Sequence, residues 1–215
     1  MLQQGIIVPS NSDWASNVRA VAKTDGSIRL CVDYRQVNKK VIADRYPMPR
    51  VDEVIQSMSK CHWFSTMDLQ QGFFQIPICK EDRHKTAFVT EDGLFEFERL
   101  PMGLSTSPAH FQRLMRNVLA DPIAKGFCQV FVDDIAVFSK TFAEHVMHVT
   151  EVLQHLVKAK LKLKISKCNL FARSVKLLGY RVGEDRVEPL KDKLSAIENW
   201  PVPKTGKGMM GFLGL

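Results

Sequence analysis

Apolar positions alternate with polar ones in some stretches of this chain and recur every three or four residues in others, which separates strands from helices. Val18 to Ala22 and Ile28 to Tyr34 flank Lys23-Thr24-Asp25-Gly26-Ser27, and an Asp-Gly between two apolar-rich runs predicts a hairpin. A second hairpin is predicted from Thr86 to Thr90 and Leu94 to Leu100 around Glu91-Asp92-Gly93, with Leu94, Glu96 and Glu98 alternating against Phe95, Phe97 and Arg99. The period lengthens after Ser107. With Ser107 as N-cap and Pro108 at the first helical position, Phe111, Leu114, Met115, Val118 and Leu119 fall on one helical face. Thr141 and Glu144 have capping-box spacing ahead of Phe142, Val146, Val149, Leu153, Leu156 and Val157, which predicts a long amphipathic helix to about Lys160. Shorter helices are predicted at Val51 to Met58 and at Lys191 to Asn199, before the Pro201-Val202-Pro203 break. There is no internal repeat. This order predicts an α+β domain with helices packed on a mainly antiparallel sheet.

Composition narrows the class only a little. The 215 residues are 45% hydrophobic and 25% charged, the balance of an ordinary globular protein. Thirty Lys and Arg against 23 Asp and Glu leave a formal charge of +7, which suits a polyanionic partner such as nucleic acid and equally describes a solvated basic surface. Cys31, Cys61, Cys79, Cys128 and Cys168 are odd in number, far apart and never in a C-x-x-C pair, which argues against a disulfide framework or a thiolate zinc site and for a reducing compartment. No signal-peptide pattern or membrane-length apolar run is present. A cytoplasmic protein, not secreted and without a membrane partner, is expected.

Chemistry is suggested where carboxylates end strand-like runs. Asp133-Asp134 alone separates the β-prone runs Cys-Gln-Val-Phe-Val and Ile-Ala-Val-Phe-Ser. Adjacent carboxylates at a tight turn repel one another unless solvent or a cation neutralises them, so a solvated turn and a metal site both remain open for this pair. Phe64-Ser65-Thr66-Met67-Asp68 is a second such run. Two metal ions roughly 3.5 to 4 Å apart need oxygen ligands from at least two segments, and one Asp on a strand plus two on a hairpin meet that need. His145, His148 and His155 share one helix without a convincing ligand set, and Thr205-Gly206-Lys207-Gly208 lacks P-loop spacing.

Several runs carry a resemblance. Val32 to Lys39, Arg45 to Arg50, Phe64 to Ile76, Leu100 to Gln112, Phe131 to Asp134, Lys164 to Cys168, Leu177 to Tyr180, Asn199 to Pro203 and Phe212 to Leu215 follow one another across nearly the whole chain. In this order they resemble successive motifs of the reverse transcriptases of gypsy-type LTR retrotransposons. The resemblance implies a right-hand polymerase: fingers at about 1–43 and 76–106, palm at about 44–75 and 107–187, and the start of a thumb at 188–215. It implies RNA-directed DNA synthesis on an RNA or DNA template with primer, from dNTPs, with two Mg²⁺ ions or Mn²⁺ in their place.

Carried over by position, Asp68, Asp133 and Asp134 are the implied catalytic carboxylates and metal ligands, with Asp134 contributing mainly field and geometry. Lys23 and Arg29 match residues that grip the incoming triphosphate, a role suited to an ammonium and a planar guanidinium. A solvated cation is the bland reading of each. Phe73 matches the aromatic beneath the sugar, against core packing, and Met102-Gly103 the segment over the nascent base pair. Phe131, Leu178, Gly179 and Tyr180 match primer contacts. Gln75 and Gln112 are hydrogen-bonding support or plain surface amides. Lys167 is a candidate to protonate pyrophosphate, or a solvated lysine.

Departures are visible too. The family usually has Tyr at the position of Phe131, Pro is common where Asp13 and Asn17 stand, and three glycines in Gly206 to Gly211 weaken the helix expected there. The family continues beyond both ends, so Met1 is expected to be internal to a Pol polyprotein that also carries protease, RNase H and integrase, at work in retrotransposon particles. A non-catalytic relic that binds nucleic acid is the alternative from another class; intact Asp68, Asp133 and Asp134 count against it. An RNA-templated RNA polymerase shares the carboxylates, and Phe73 disfavours it.

Overall fold

The structure is a computed structural model, and it describes residues 1–22, 26, 28–184, 186–191, 195 and 199–213. Its strands are β1 (Ile7–Pro9), β2 (Val18–Ala22), β3 (Ile28–Val32), β4 (Trp63–Asp68), β5 (Phe88–Thr90), β6 (Gly93–Phe97), β7 (Cys128–Phe131), β8 (Asp134–Ser139), β9 (Asn169–Ala172), β10 (Ser174–Leu177), β11 (Tyr180–Gly183) and β12 (Val187–Pro189). Its helices are α1 (Arg35–Asn38), α2 (Val51–Ser57), α3 (Lys80–Arg83), α4 (Ser107–Val118), α5 (Ala120–Ala124) and α6 (Phe142–Lys158), followed by a last helix over Gly206–Leu213.

The central sheet has the order β7-β8-β4-β9 and its neighbours are antiparallel. Both faces are covered, which explains why β8 reads as a continuous apolar run. Ile135 and Val137 point into a core with Phe111 and Met115 of α4 and Val149, Val152 and Leu156 of α6. Ala136 and Phe138 point the other way, toward Val54 and Ile55 of α2 and Val175, Leu177 and Val182 of the β10-β11-β12 sheet. A third core, Ile6, Ile7, Phe88 and Phe97, sits in the β1-β6-β5 sheet. The β2-β3 hairpin stands as its own ladder, Val18 opposite Val32.

Both predicted hairpins form, with shifted ends. Thr90 pairs with Gly93, so Glu91 and Asp92 alone make the turn, and Thr86 falls in a 3-10 turn instead of a strand. Ser107 is not the N-cap. Thr106 flanks α4, and the buried Ser107 Oγ donates to Pro101 O at 2.8 Å, holding the incoming loop and not the helix end. Leu119, expected in the same helix, leaves helical geometry ahead of α5, which contains Pro122. Pro lacks the N–H that a continued helix would need. The three glycines of Gly206 to Gly211 do not prevent a helix over Gly206–Leu213. Most of the turn Lys23 to Ser27, most of the predicted helix Lys191 to Asn199, and Gly214 and Leu215 lie outside the described residues. Among the described residues no helix is long and apolar enough to cross a membrane.

The long helix has the expected capping box, Thr141 with Glu144, but is rolled relative to its apolar stripe. Phe142, Val146 and Val157 are exposed, while His145 is fully buried. The reason is a polar pocket on the sheet: Ser65 Oγ lies 2.7 Å from His145 Nε2 and Ser139 Oγ 2.9 Å from His145 Nδ1. Both ring nitrogens are satisfied, so the imidazole behaves as a core residue. Burial, then the neighbouring His148, depress its pKa to about 4.

A histidine held neutral in the fold favours folding above its unfolded pKa, near 6.5, and that contribution is lost as pH falls toward 4. The His145 contribution to the melting temperature should therefore fall between pH 6.5 and 4, and it is read as a difference from His145→Gln because buried carboxyls titrate with the opposite sign in the same window. In His145→Gln the wild-type protein's extra acid sensitivity over this window should be largely gone, as a melting series across pH would show.

Candidate active site

β4 and β8 pair in a register that ends with Asp68 opposite Asp134. β7 and β8 close through a two-residue turn with Phe131 opposite Asp134. The turn is therefore Val132-Asp133, one residue earlier than expected, and Asp134 opens β8. Asp133 stands at the hairpin tip beside the paired carboxylates. Val132 has φ 50°, a left-handed conformation that costs a β-branched residue on the order of 1–3 kcal/mol. Gln112 braces it. Its amide is fully buried on α4, with Nε2 donating to Val130 O at 2.9 Å and Oε1 accepting from Val132 N at 2.6 Å.

The other strand is anchored by the segment after α6. Lys164 N donates to Asp68 O at 2.9 Å, and Leu69 bridges to Leu163. Gln75 ties the same segment down: Nε2 donates to Gln70 O and Lys162 O, and Oε1 accepts from Lys162 N at 2.7 Å. The following 3-10 turn, Ile165–Lys167, brings Lys167 Nζ within 2.8 Å of Asp68 Oδ2.

Three carboxylates and one ammonium share this end of the sheet. Burial, followed by the charges of Asp68 and Asp134, pushes Asp133 up to about 6, with Lys167 pulling the other way. Asp134 is raised by desolvation and by Asp68. Lys167 is raised by its hydrogen bond to Asp68 and by the Asp68 and Asp133 charges. Asp133 Oδ1 is buried without a hydrogen-bond partner. A buried, unpaired acceptor among like charges is costly, and a hard divalent cation with oxygen preference is the group that fits it. The carboxylates do not yet surround a common point: among the described residues no three His, Cys, Asp or Glu side chains form a metal-binding group, and Asp68 is paired with Lys167.

Asp68 and Asp133 open on a cleft of about 450 Å³ that Arg29, Met102, Lys164 and Lys167 also line. Arg29 lies on β3, opposite Val21. Lys23 is outside the described residues. Gly103 has φ 99°, a conformation that favours glycine, while a Cβ there would meet Tyr34 Cδ2 at 3.4 Å and Val32 O at 3.5 Å in ordinary contact. Phe73 does not line the cleft. It is 8% exposed, part of the main core, with its ring 4.8 Å from that of Phe111; the neighbouring Phe74 faces the cleft instead. Leu178 and Gly179 form the two-residue turn of the β10-β11 hairpin, both at positive φ. Leu178 and Tyr180 pack on the second core and do not line the cleft. Phe131 is half-buried at the end of β7. Sequence reasoning gave no role to Lys164 or Phe74, although each lies within a motif it had quoted.

Residues 21–182 match the family model described as reverse transcriptase (RNA-dependent DNA polymerase). The chain belongs to that family. It is 40% identical to the retrovirus-related Pol polyprotein from transposon 297 and 38% identical to that from transposon gypsy, both of Drosophila melanogaster, in each case over 100% of this chain and 21% of the relative. The Tf2-3 polyprotein of Schizosaccharomyces pombe is 35% identical over 99% of this chain and 16% of its own length. This chain thus spans about a fifth of the first two polyproteins it matches. Among solved structures, the foamy viral protease-reverse transcriptase dRH in complex with ds DNA superposes with a TM-score of 0.88 at 29% identity, over 99% of this chain and 37% of that one. The same viral enzyme in complex with RNA/DNA hybrid gives 0.84 at 29% identity, over 99% and 28%. The antiparallel sheets and their helices are therefore the fingers and palm of a reverse transcriptase.

A carboxyl whose pKa is raised in the fold weakens folding as pH climbs from its unfolded value, near 4, through 6. Asp133→Asn removes that term. In metal-free protein it should raise stability at pH 7 by on the order of 1–3 kcal/mol, with the gain shrinking toward pH 4; denaturant unfolding at the two pH values measures it.

Proposed function

We propose that this chain is the polymerase core of a gypsy-type retrotransposon reverse transcriptase, adding dNTPs to a primer 3′-OH to copy element RNA into DNA. The observation that carries this reading is the register that sets Asp68 opposite Asp134 with Asp133 at the adjoining turn. In it, residues 1–43 and 76–106 act as fingers, 44–75 and 107–187 as palm, and 188–215 as the start of a thumb. The template is RNA or DNA with a primer, in keeping with the two nucleic-acid complexes of the foamy viral enzyme. The rest of a Pol polyprotein, with protease, RNase H and integrase, completes the protein, which works in cytoplasmic retrotransposon particles.

Asp68 and Asp133 would hold two divalent cations, Mg²⁺ or Mn²⁺, with Asp134 shaping the field. When bound, such ions lower the pKa of an attacking hydroxyl and neutralise a triphosphate. The chain's own groups do the rest. Arg29 and Lys164 both line the cleft, where triphosphate oxygens can accept from each. Lys167, kept charged by Asp68, carries a proton at Nζ that leaving pyrophosphate can accept. Met102 lines the cleft with Gly103 next to it in the chain, and Gln75 and Gln112 keep its two carboxylate-bearing segments in place. Leu178, Gly179 and Tyr180 present a hairpin turn to the primer end, and Phe131 contacts the primer from the end of β7. Lys23 belongs with Arg29 on triphosphate.

Asp133→Asn should abolish extension of a primed RNA template while leaving template-primer binding within a few fold; equal loss of both would count against this assignment. Binding should also weaken steeply as salt rises, as counterion release requires. For Phe73→Val, packing against Phe111 predicts a loss of about 2–3 kcal/mol of stability and a parallel fall in dNTP and rNTP incorporation. A changed dNTP-to-rNTP ratio at an unchanged melting temperature would instead make the ring a direct gate against the 2′-OH.

A further inference from the structure

We propose that Gln112 is a positioning residue that aims Asp133 by holding Val132 in a backbone conformation that valine does not keep unaided. The inference rests on the reading of Asp133 as a catalytic carboxylate, and it concerns how this chain keeps that carboxylate in place.

Two independent facts about the hairpin meet at Gln112. First, Val132 takes φ 50°, at the position of a two-residue turn where glycine is usual and a β-branched side chain is disfavoured. Second, both ends of one buried amide are used on that residue and on the strand residue two before it, through Val132 N and Val130 O. The clamp itself is rigid. Gln112 follows Phe111, and both are fully buried on α4, as is Met115 one turn later.

Asp133 depends on the backbone more than most carboxylates do. Its Oδ1 is buried and finds no hydrogen-bond donor, so that oxygen is not held by a bond of its own. Its direction is set by where the Val132-Asp133 peptide points. Without the Oε1 contact, Val132 is free to return to negative φ, and the reorientation is passed directly to Asp133. The clamp should therefore matter only while residue 132 dislikes positive φ. Glycine at 132 accepts that conformation without cost, which makes Gln112 largely dispensable for aim.

Gln112→Ala, Val132→Gly and the double variant of this chain test the coupling, with single-turnover dNTP incorporation on a primed RNA template as the readout. Gln112→Ala should slow incorporation by about 100-fold, the scale of a misplacement near 1 Å, with template-primer binding unchanged within about 3-fold. In the Val132→Gly background the same substitution should cost less than about 5-fold, the non-additivity expected of residues in contact. A general packing role predicts the same fold-loss in both backgrounds, and that result would overturn the proposal. A crystal structure of Gln112→Ala decides independently of activity: Val132 is expected to leave positive φ with Asp133 displaced, and retention of positive φ would sink the idea. If the parent chain incorporates no nucleotide, the polymerase reading fails on its own, and the crystallographic comparison still decides this one.

Discussion

Three carboxylates that repel one another are held at one end of the β4-β8 ladder, and much of the chain is arranged to keep them there. The ladder runs six residues, Trp63 to Asp68 against Ser139 to Asp134, with apolar side chains buried on both faces. Such burial is worth roughly 1.5–3 kcal/mol per large side chain, so the cores on either face can outweigh the local repulsion. The cost of crowding the charges is visible in the raised pKa values of Asp133 and Asp134.

Each carboxylate has its own means of restraint. Asp68 is pinned through its backbone by Lys164 and through its side chain by Lys167. Asp134 is fixed as the first residue of a buried strand. Asp133 has only the turn, and the turn is strained. Strain of this kind persists where surrounding structure over-determines it, and the buried amide of Gln112 between Val130 and Val132 is that determination.

Basic side chains line the same cleft as the carboxylates, so it holds both signs of charge within one small volume. The acidic end suits cations and the Arg29, Lys164 and Lys167 side chains suit phosphate oxygens. An ion pair between the two, Lys167 with Asp68, ties the halves together.

The sequence by itself determined the type of most described elements, the long capped helix and the two hairpins, and it singled out Asp68, Asp133 and Asp134 as candidates, because these rest on local periodicity, capping chemistry and short motifs. Tertiary structure alone decided which side of each element faces inward and how the ends meet. His145 became a core residue because Ser65 and Ser139, 80 and 6 residues away, meet both its nitrogens, and the apolar stripe of its helix could not reveal that. Gln112 read equally as hydrogen-bonding support or as a surface amide because its partners lie 18 and 20 residues along the chain. The turn moved by one residue to Val132-Asp133 because register against β4 places Asp134 in the ladder, whatever the local turn preference. Phe73 went to the core and Phe74 to the cleft, a choice between adjacent aromatics made by Phe111 on a helix far along the chain. Periodicity is a property of neighbours in sequence, whereas hydrogen-bond partners and burial are set by residues that only folding brings together.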